Sequence, residues 1–174
     1  MPNQITDSTC YKNLIKSCSD KNIIPNYLYK NDILVLDEDT EILVLSPSYI
    51  QDNNNLNSIV LNLNYKNKSF LFTGDCEKSN EYDMINSFNL ENIDFLKVAH
   101  HGSSSSSSPE FINEVSPDVA VISCGYKNQY GHPHQSTLDT LNNNDTITYR
   151  TDINGDMIFY SDGNTIFTKH KYKN

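Results

Sequence analysis

The hydrophobic pattern changes period at Gly74-Asp75, and that change limits the fold more than any other feature. Ahead of it, residues 33–36, 41–45, 58–65 and 69–73 read as strands. Residues 58–65 alternate apolar and polar side chains, Lys66-Asn67-Lys68 turns, and 69–73 runs back, which is the pattern of a β-hairpin. Behind it, strands and helices alternate: helix over 78–89, strand over 93–99, helix over 109–115, strand over 118–123, helix over 133–141 opened by Pro133, strand over 146–150. A hairpin over 157–160 and 165–169 around Asp162-Gly163 closes the pattern. Strands first and a strand–helix alternation afterwards describe an α/β layered domain with a mixed sheet. An amphipathic helix over 7–21, with Leu14, Ile15 and Cys18 at helical spacing, is expected to cover the sheet. With 174 residues, 37% of them hydrophobic, the chain has the size of one domain.

Two strands end on groups that carry chemistry. Phe70-Leu-Phe-Thr-Gly-Asp75 delivers a carboxylate at a strand tip, and Phe95-Leu-Lys-Val-Ala-His-His-Gly-Ser103 delivers two imidazoles and a hydroxyl at another. Side by side and pointing the same way, these strands bring Asp75 and His100 or His101 to one edge, where open α/β sheets place their sites. Such oxygen and nitrogen donors suit zinc, manganese or iron, and the chemistry would be hydrolytic. A third segment, Tyr130-Gly-His-Pro-His134, sets two more histidines in a loop at a helix start. His132 or His134 is suited to bind a substrate phosphate or to donate a proton to a leaving group. The serine tract 103–108 could be a flexible linker, but it follows a buried-type strand and precedes a helix signal, so it reads as a substrate-facing loop capped onto a helix.

Blander roles compete with these. A Thr-Gly-Asp can be a plain strand-to-turn signal, and one member of a His-His pair on a strand usually packs inward. His170 reads as a solvated tail residue. The four cysteines, Cys10, Cys18, Cys76 and Cys124, form no CxxC pair, which argues against a zinc ribbon or a disulfide framework. They read as core fillers, with Cys76 the one beside the proposed site.

Taken in order, Val44-Leu-Ser-Pro47, Asn57-Ser-Ile-Val60, the Thr-Gly-Asp75 and His-His-Gly-Ser103 strands, Pro117-Asp-Val-Ala-Val-Ile-Ser123, Tyr130-Gly-His-Pro-His134, Tyr149-Arg-Thr-Asp152 and Ser161-Asp-Gly163 resemble the metallo-β-lactamase domain at the C-terminus of ComEC-type competence proteins. The resemblance runs over 42–163. It implies an αββα sandwich, represented here by its C-terminal portion, and metal-dependent phosphodiester hydrolysis during DNA uptake. It implies a two-metal zinc site, with manganese possible, in which Asp75 bridges the metals and His101 is the late histidine ligand. His100 and His132 would then be catalytic, and Ser103 and His134 would bind substrate. The family's first signature, His-x-His-x-Asp-His, is absent from a chain with five histidines, so half of the metal site is missing. The N-terminal sheet is missing with it, which should leave an exposed edge and an uncovered apolar face.

Two functions follow as expectations. One is a DNA-directed or other phosphodiesterase, active only with an N-terminal half-domain partner or as a homodimer. The other is a non-catalytic remnant that binds an anion or nucleotide. With 13 Lys+Arg against 22 Asp+Glu and a charge of −9, nucleic-acid contact must be local. No apolar run is long enough to span a bilayer and no export signal precedes the fold, so the chain alone reads as cytoplasmic. A ComEC-type parent would place it on the extracellular side of the membrane.

Overall fold

The structure is a computed structural model that describes residues 1–2 and 4–170, with the side chains of residues 169 and 170 outside that description. Helix α1 (Thr9–Asp20) leads into strands β1 (Ile33–Asp37), β2 (Thr40–Ser46), β3 (Val60–Tyr65) and β4 (Lys68–Phe72), which pair antiparallel in chain order. From β4 onward the pairing is parallel through β5 (Phe95–Lys97), β6 (Val119–Ile122) and β7 (Ile147–Arg150). Parallel neighbours need long crossovers, and α2 (Lys78–Ser87), α3 (Pro109–Val115) and α4 (Gln135–Asn143) supply them. The expected mixed sheet is thus seven-stranded, ordered β1 to β7. A short helix, α5 (Thr151–Asn154), and a separate hairpin of β8 (Met157–Ser161) and β9 (Ile166–His170) complete the described chain.

Because successive strands step in one direction, right-handed crossovers put the three helices on one face. Met84 of α2, Phe111, Ile112 and Val115 of α3, and Leu141 of α4 pack there against Leu71, Leu96, Ala120 and Ile122 of the sheet. Each such fully buried side chain contributes roughly 1.5–3 kcal/mol. The opposite face is only partly covered. Phe159 of β8 lies 5.1 Å from Phe95 and 5.4 Å from Tyr149, ring to ring. Beside it an open groove of about 410 Å³ is lined by Leu63, Tyr65, Phe70, Phe72 and Phe95. The edge strand β1 leaves Ile33, Val35 and Leu36 exposed.

The serine tract is no linker. Glu81 of α2 is fully buried, and its carboxylate accepts the backbone N–H groups of Ser107 at 2.5 Å and Ser108 at 2.9 Å. The Ser106 hydroxyl donates to the Cys76 carbonyl at 2.6 Å, and Ser108 caps α3 ahead of Pro109. Burial pushes the Glu81 carboxyl up, while the two amide donors and Lys78 pull it back.

Three local expectations are corrected. Helix α1 buries no residue, so it covers no sheet; its apolar stripe of Leu14, Ile15 and Cys18 is too short and too interrupted by lysine to drive docking. The expected strand over 93–99 stops at Lys97. Pro133 does not open α4: it packs on Gly102, and His134, in extended backbone, is the N-cap. The cysteines also differ from a uniform set of core fillers, since Cys76 is in the core, Cys124 is partly buried and Cys10 is exposed. The reading of His170 as a solvated side chain lies outside the described residues.

Candidate active site

Strands β4 and β5 pair in the register Phe70↔Phe95, Leu71↔Leu96, Phe72↔Lys97, so their C-terminal tips lie at one edge. Two hydrogen bonds continue the pairing past the strands. Thr73 donates its hydroxyl to the Lys97 carbonyl at 2.6 Å, and His100 N–H donates to the Gly74 carbonyl at 3.0 Å. Gly74 takes a positive φ of 56°, which turns Asp75 out of the strand line, and the Asp75 N–H is held by the Ser58 hydroxyl at 3.1 Å.

His101 Nε2 then stands 3.7 Å from Asp75 Oδ1, with both side chains about half exposed. That gap is too long for a hydrogen bond. His101 Nδ1 donates to the Ser123 carbonyl at 2.7 Å, which fixes the tautomer and leaves the Nε2 lone pair on the Asp75 side when the ring is neutral. The pair reads as an oxygen and a nitrogen donor turned toward a common point.

The histidines do not alternate along a strand as expected. His100 and His101 occupy a tight turn, Ala99–Gly102, with φ of 46° and 56°, and both rings remain at the edge. His100 Nδ1 lies 3.2 Å from the Ser105 hydroxyl. Ser103 is buried and spends its hydroxyl on Ser105, so Ser105 rather than Ser103 reaches an imidazole. The Gly-His-Pro-His loop folds over the same edge. His134 N–H donates to the Gly102 carbonyl at 2.9 Å, and His134 Nδ1 accepts the Ser104 N–H at 2.9 Å. His132 is central: its ring centroid is 5.7 Å from His100, 6.5 Å from His101 and 4.8 Å from His134. All the expected site residues are thus in one cluster, with Ser103 behind it.

Sequence reasoning missed the support. Asn128 ties the loop together, donating to the carbonyls of Gly125 and His132 and accepting the N–H groups of Tyr130 and His132. The Cys124 thiol donates to Asp152 at 3.2 Å, and Arg150 clasps that carboxylate through Nε and Nη2. Cys124, not the buried Cys76, is the cysteine beside the site; it lines a pocket of about 210 Å³ with His101, Gly125, Asn128, Tyr130 and His132. Burial holds the Lys97 ammonium below its usual range, although the Asp75 charge opposes this, and Lys97 donates to the Val98 carbonyl. An apolar-flanked lysine inside a strand is the one signal that could have flagged it.

Burial, with the neighbouring imidazoles of His134, His100 and His101, holds His132 below its ordinary 6.5, against a smaller opposite pull from Asp75. The folded chain therefore binds fewer protons than the unfolded chain just below pH 6.5, and this part of its stability is lost as pH falls through 6.5 toward the folded value. NMR titration of the ring protons should place His132 below 6.5, and His132→Gln should flatten the pH dependence of the unfolding midpoint in that window. A titration at or above 6.5 would contradict the packing described.

Asp75 and His101 supply two donors of the right kind, but among the described residues no group of three His, Cys, Asp or Glu side chains is placed to hold a metal ion. The described residues thus fit part of a metal site and do not complete one. Among them, no helix is long and apolar enough to cross a membrane.

No family model matches the chain. It is similar to three curated proteins: ComE operon protein 3 of Bacillus subtilis, 35% identical over 143 residues and 82% of this chain; Recombination protein 2 of Haemophilus influenzae, 36% identical over 115 residues and 66% of the chain; and competence protein ComA of Neisseria gonorrhoeae, 36% identical over 104 residues and 59% of the chain. The matched regions cover 18%, 14% and 15% of those proteins, so the chain spans less than a fifth of the relatives' length.

Proposed function

We propose that this chain is the C-terminal part of a metallo-β-lactamase-like phosphodiesterase acting in DNA uptake, and that it contributes Asp75 and His101 to a metal site whose remaining ligands come from another segment. The observation that carries this reading is the Asp75–His101 pair at adjacent parallel strand tips, 3.7 Å apart and oriented by the Ser123 carbonyl. The similarity to a competence protein and a ComE operon protein supports the biological setting. The groove over Phe70, Phe72 and Phe95 and the exposed β1 edge fit a missing N-terminal sheet, which in an αββα sandwich would cover that face.

A bound zinc or manganese ion would supply a nucleophilic water near neutral pH and a cation against the phosphoryl oxygens. This chain's own residues do the rest. Asp75 and His101 hold their donors toward one point. His132, held below its ordinary 6.5 by burial and the neighbouring imidazoles, would be the group at this edge to hold or pass on a proton. His134 has its Nδ1 occupied by the Ser104 N–H, so its Nε2 carries a proton and can donate to a phosphate oxygen.

The test is reconstitution. Single-stranded DNA should be hydrolysed when the chain is mixed with a polypeptide bearing the His-x-His-x-Asp-His segment and with manganese or zinc. Asp75→Ala should reduce turnover to background. No turnover from the mixture, or the same turnover with Asp75→Ala, would remove this reading. A second reading, a non-catalytic module that holds an anion in the histidine cluster, is favoured by the lack of a third metal donor among the described residues. It is distinguished by phosphate binding that survives chelator.

A further inference from the structure

The loop between β6 and the Gly-His-Pro-His segment carries features that metal binding and proton transfer leave unused. Tyr126 and Tyr130 are 73% and 68% exposed, unusual for residues in a loop so firmly tied by Asn128. Tyr130 is stacked on His132 with ring centroids 5.7 Å apart and planes 25° apart. Lys127 Nζ lies 5.3 Å over the Tyr126 ring. The pocket of about 210 Å³ between Tyr130, His132, Asn128 and His101 is smaller than a drug-sized site and suits one planar heterocycle.

Charge points the same way. The chain has 22 Asp+Glu among 174 residues, yet residues 95–109 and 119–138, which build the rim, contain none. Two carboxylates stand near this edge, Asp75 and Asp152, and Asp152 is clasped by Arg150 behind Cys124. Exposed aromatics with a lysine beside them, on loop segments that carry no acid of their own, are how sequence-tolerant single-strand binders are built: bases stack, and the backbone runs past local positive or neutral surface.

We propose that Tyr130 and the pocket beside it form a base-stacking subsite for single-stranded nucleic acid, with Tyr126 and Lys127 as a second platform next to it. A base held against Tyr130 lies beside His101, which lines the same pocket, so its phosphodiester is presented to the Asp75–His101 edge. The subsite rests on the reading of that edge as a phosphodiester site only for what it presents; its binding does not depend on metal.

The experiment is fluorescence anisotropy of a labelled oligothymidylate with the whole chain, at low salt and in chelator so that nothing is cut. The probe is compared with an oligonucleotide of the same length whose sugar-phosphate backbone carries no bases. Oligothymidylate should bind more tightly than the baseless strand. Tyr130→Ala should weaken it roughly five- to a hundred-fold, down to the baseless level, and Tyr130→Phe should restore it. Tyr130 is a surface residue, so circular dichroism should show an unchanged fold. Equal binding of the two strands, no effect of Tyr130→Ala, or no binding of either strand overturns the subsite. Base-selective binding with no hydrolysis in the reconstituted mixture would leave the subsite standing and remove the phosphodiesterase reading. Hydrolysis without base selectivity would do the reverse.

Discussion

Gly102→Ala is expected to lower stability by about 2–5 kcal/mol and to pull the candidate site apart. Gly102 has φ of +81°, where any side chain is strained, and a Cβ built there would meet the Pro133 Cβ at 2.5 Å and its Cα at 3.1 Å. Pro133 is buried and its ring cannot rotate away, so the backbone itself must move. What moves is the seam of the site: His134 N–H to the Gly102 carbonyl, and His134 Nδ1 to the Ser104 N–H. The His132 ring should leave its neighbours, so its NMR titration should rise toward the ordinary value along with the fall in urea midpoint. Gly131→Ala is the control, since Gly131 has a φ of +69° and nothing within 4 Å of a built Cβ. It should cost only the backbone strain, about 1 kcal/mol. Equal effects of the two substitutions would mean that the Gly102–Pro133 contact does not hold the loops together.

The second large effect concerns metal. Loss of an outer-shell partner of a metal ligand typically costs 10–100-fold in affinity, so loss of a ligand itself from a site with only two donors should cost at least roughly a hundredfold. Asp75→Ala and His101→Ala are both expected to reach that level in zinc titrations of the chain, alone or with the complementing segment. His100→Ala should change affinity by less than about tenfold, because His100 faces Ser105 and is not paired with Asp75. A larger loss with His100→Ala than with His101→Ala would exchange their roles.

The convergence of Asp75 with the histidine pair was legible because it needs only two facts that periodicity carries: each strand runs toward a glycine-flanked polar group a few residues past its end, and a helix between the strands makes them parallel. The conformation of the pair was not legible. A strand reading places His100 and His101 on opposite faces, whereas the turn places both at the edge, and that turn is held by Gly102 against Pro133, 31 positions away in the chain. The same long-range contact removed Pro133 from the start of α4. Ser105 rather than Ser103 reaching His100 follows from the buried Glu81 pinning the far end of the serine tract, which no local pattern encodes. Helix α1 misled for the opposite reason: its local pattern was helical, but too few apolar side chains face one way for it to bury any. The apolar residues Phe70 and Phe72 on the open face are legible in the strand itself, since Phe70-Leu-Phe72 is apolar at three consecutive positions and so presents apolar side chains to both faces of the sheet.

Asp75 and His101 are proposed to act as metal ligands together. X-ray absorption at the zinc edge on the zinc-loaded chain reads this directly. Asp75 oxygen and His101 imidazole nitrogen should appear at about 2.0–2.2 Å, with the imidazole signal lost in His101→Ala. A spectrum dominated by sulfur at about 2.3 Å, which would implicate Cys124, or an imidazole signal unchanged in His101→Ala, would contradict it.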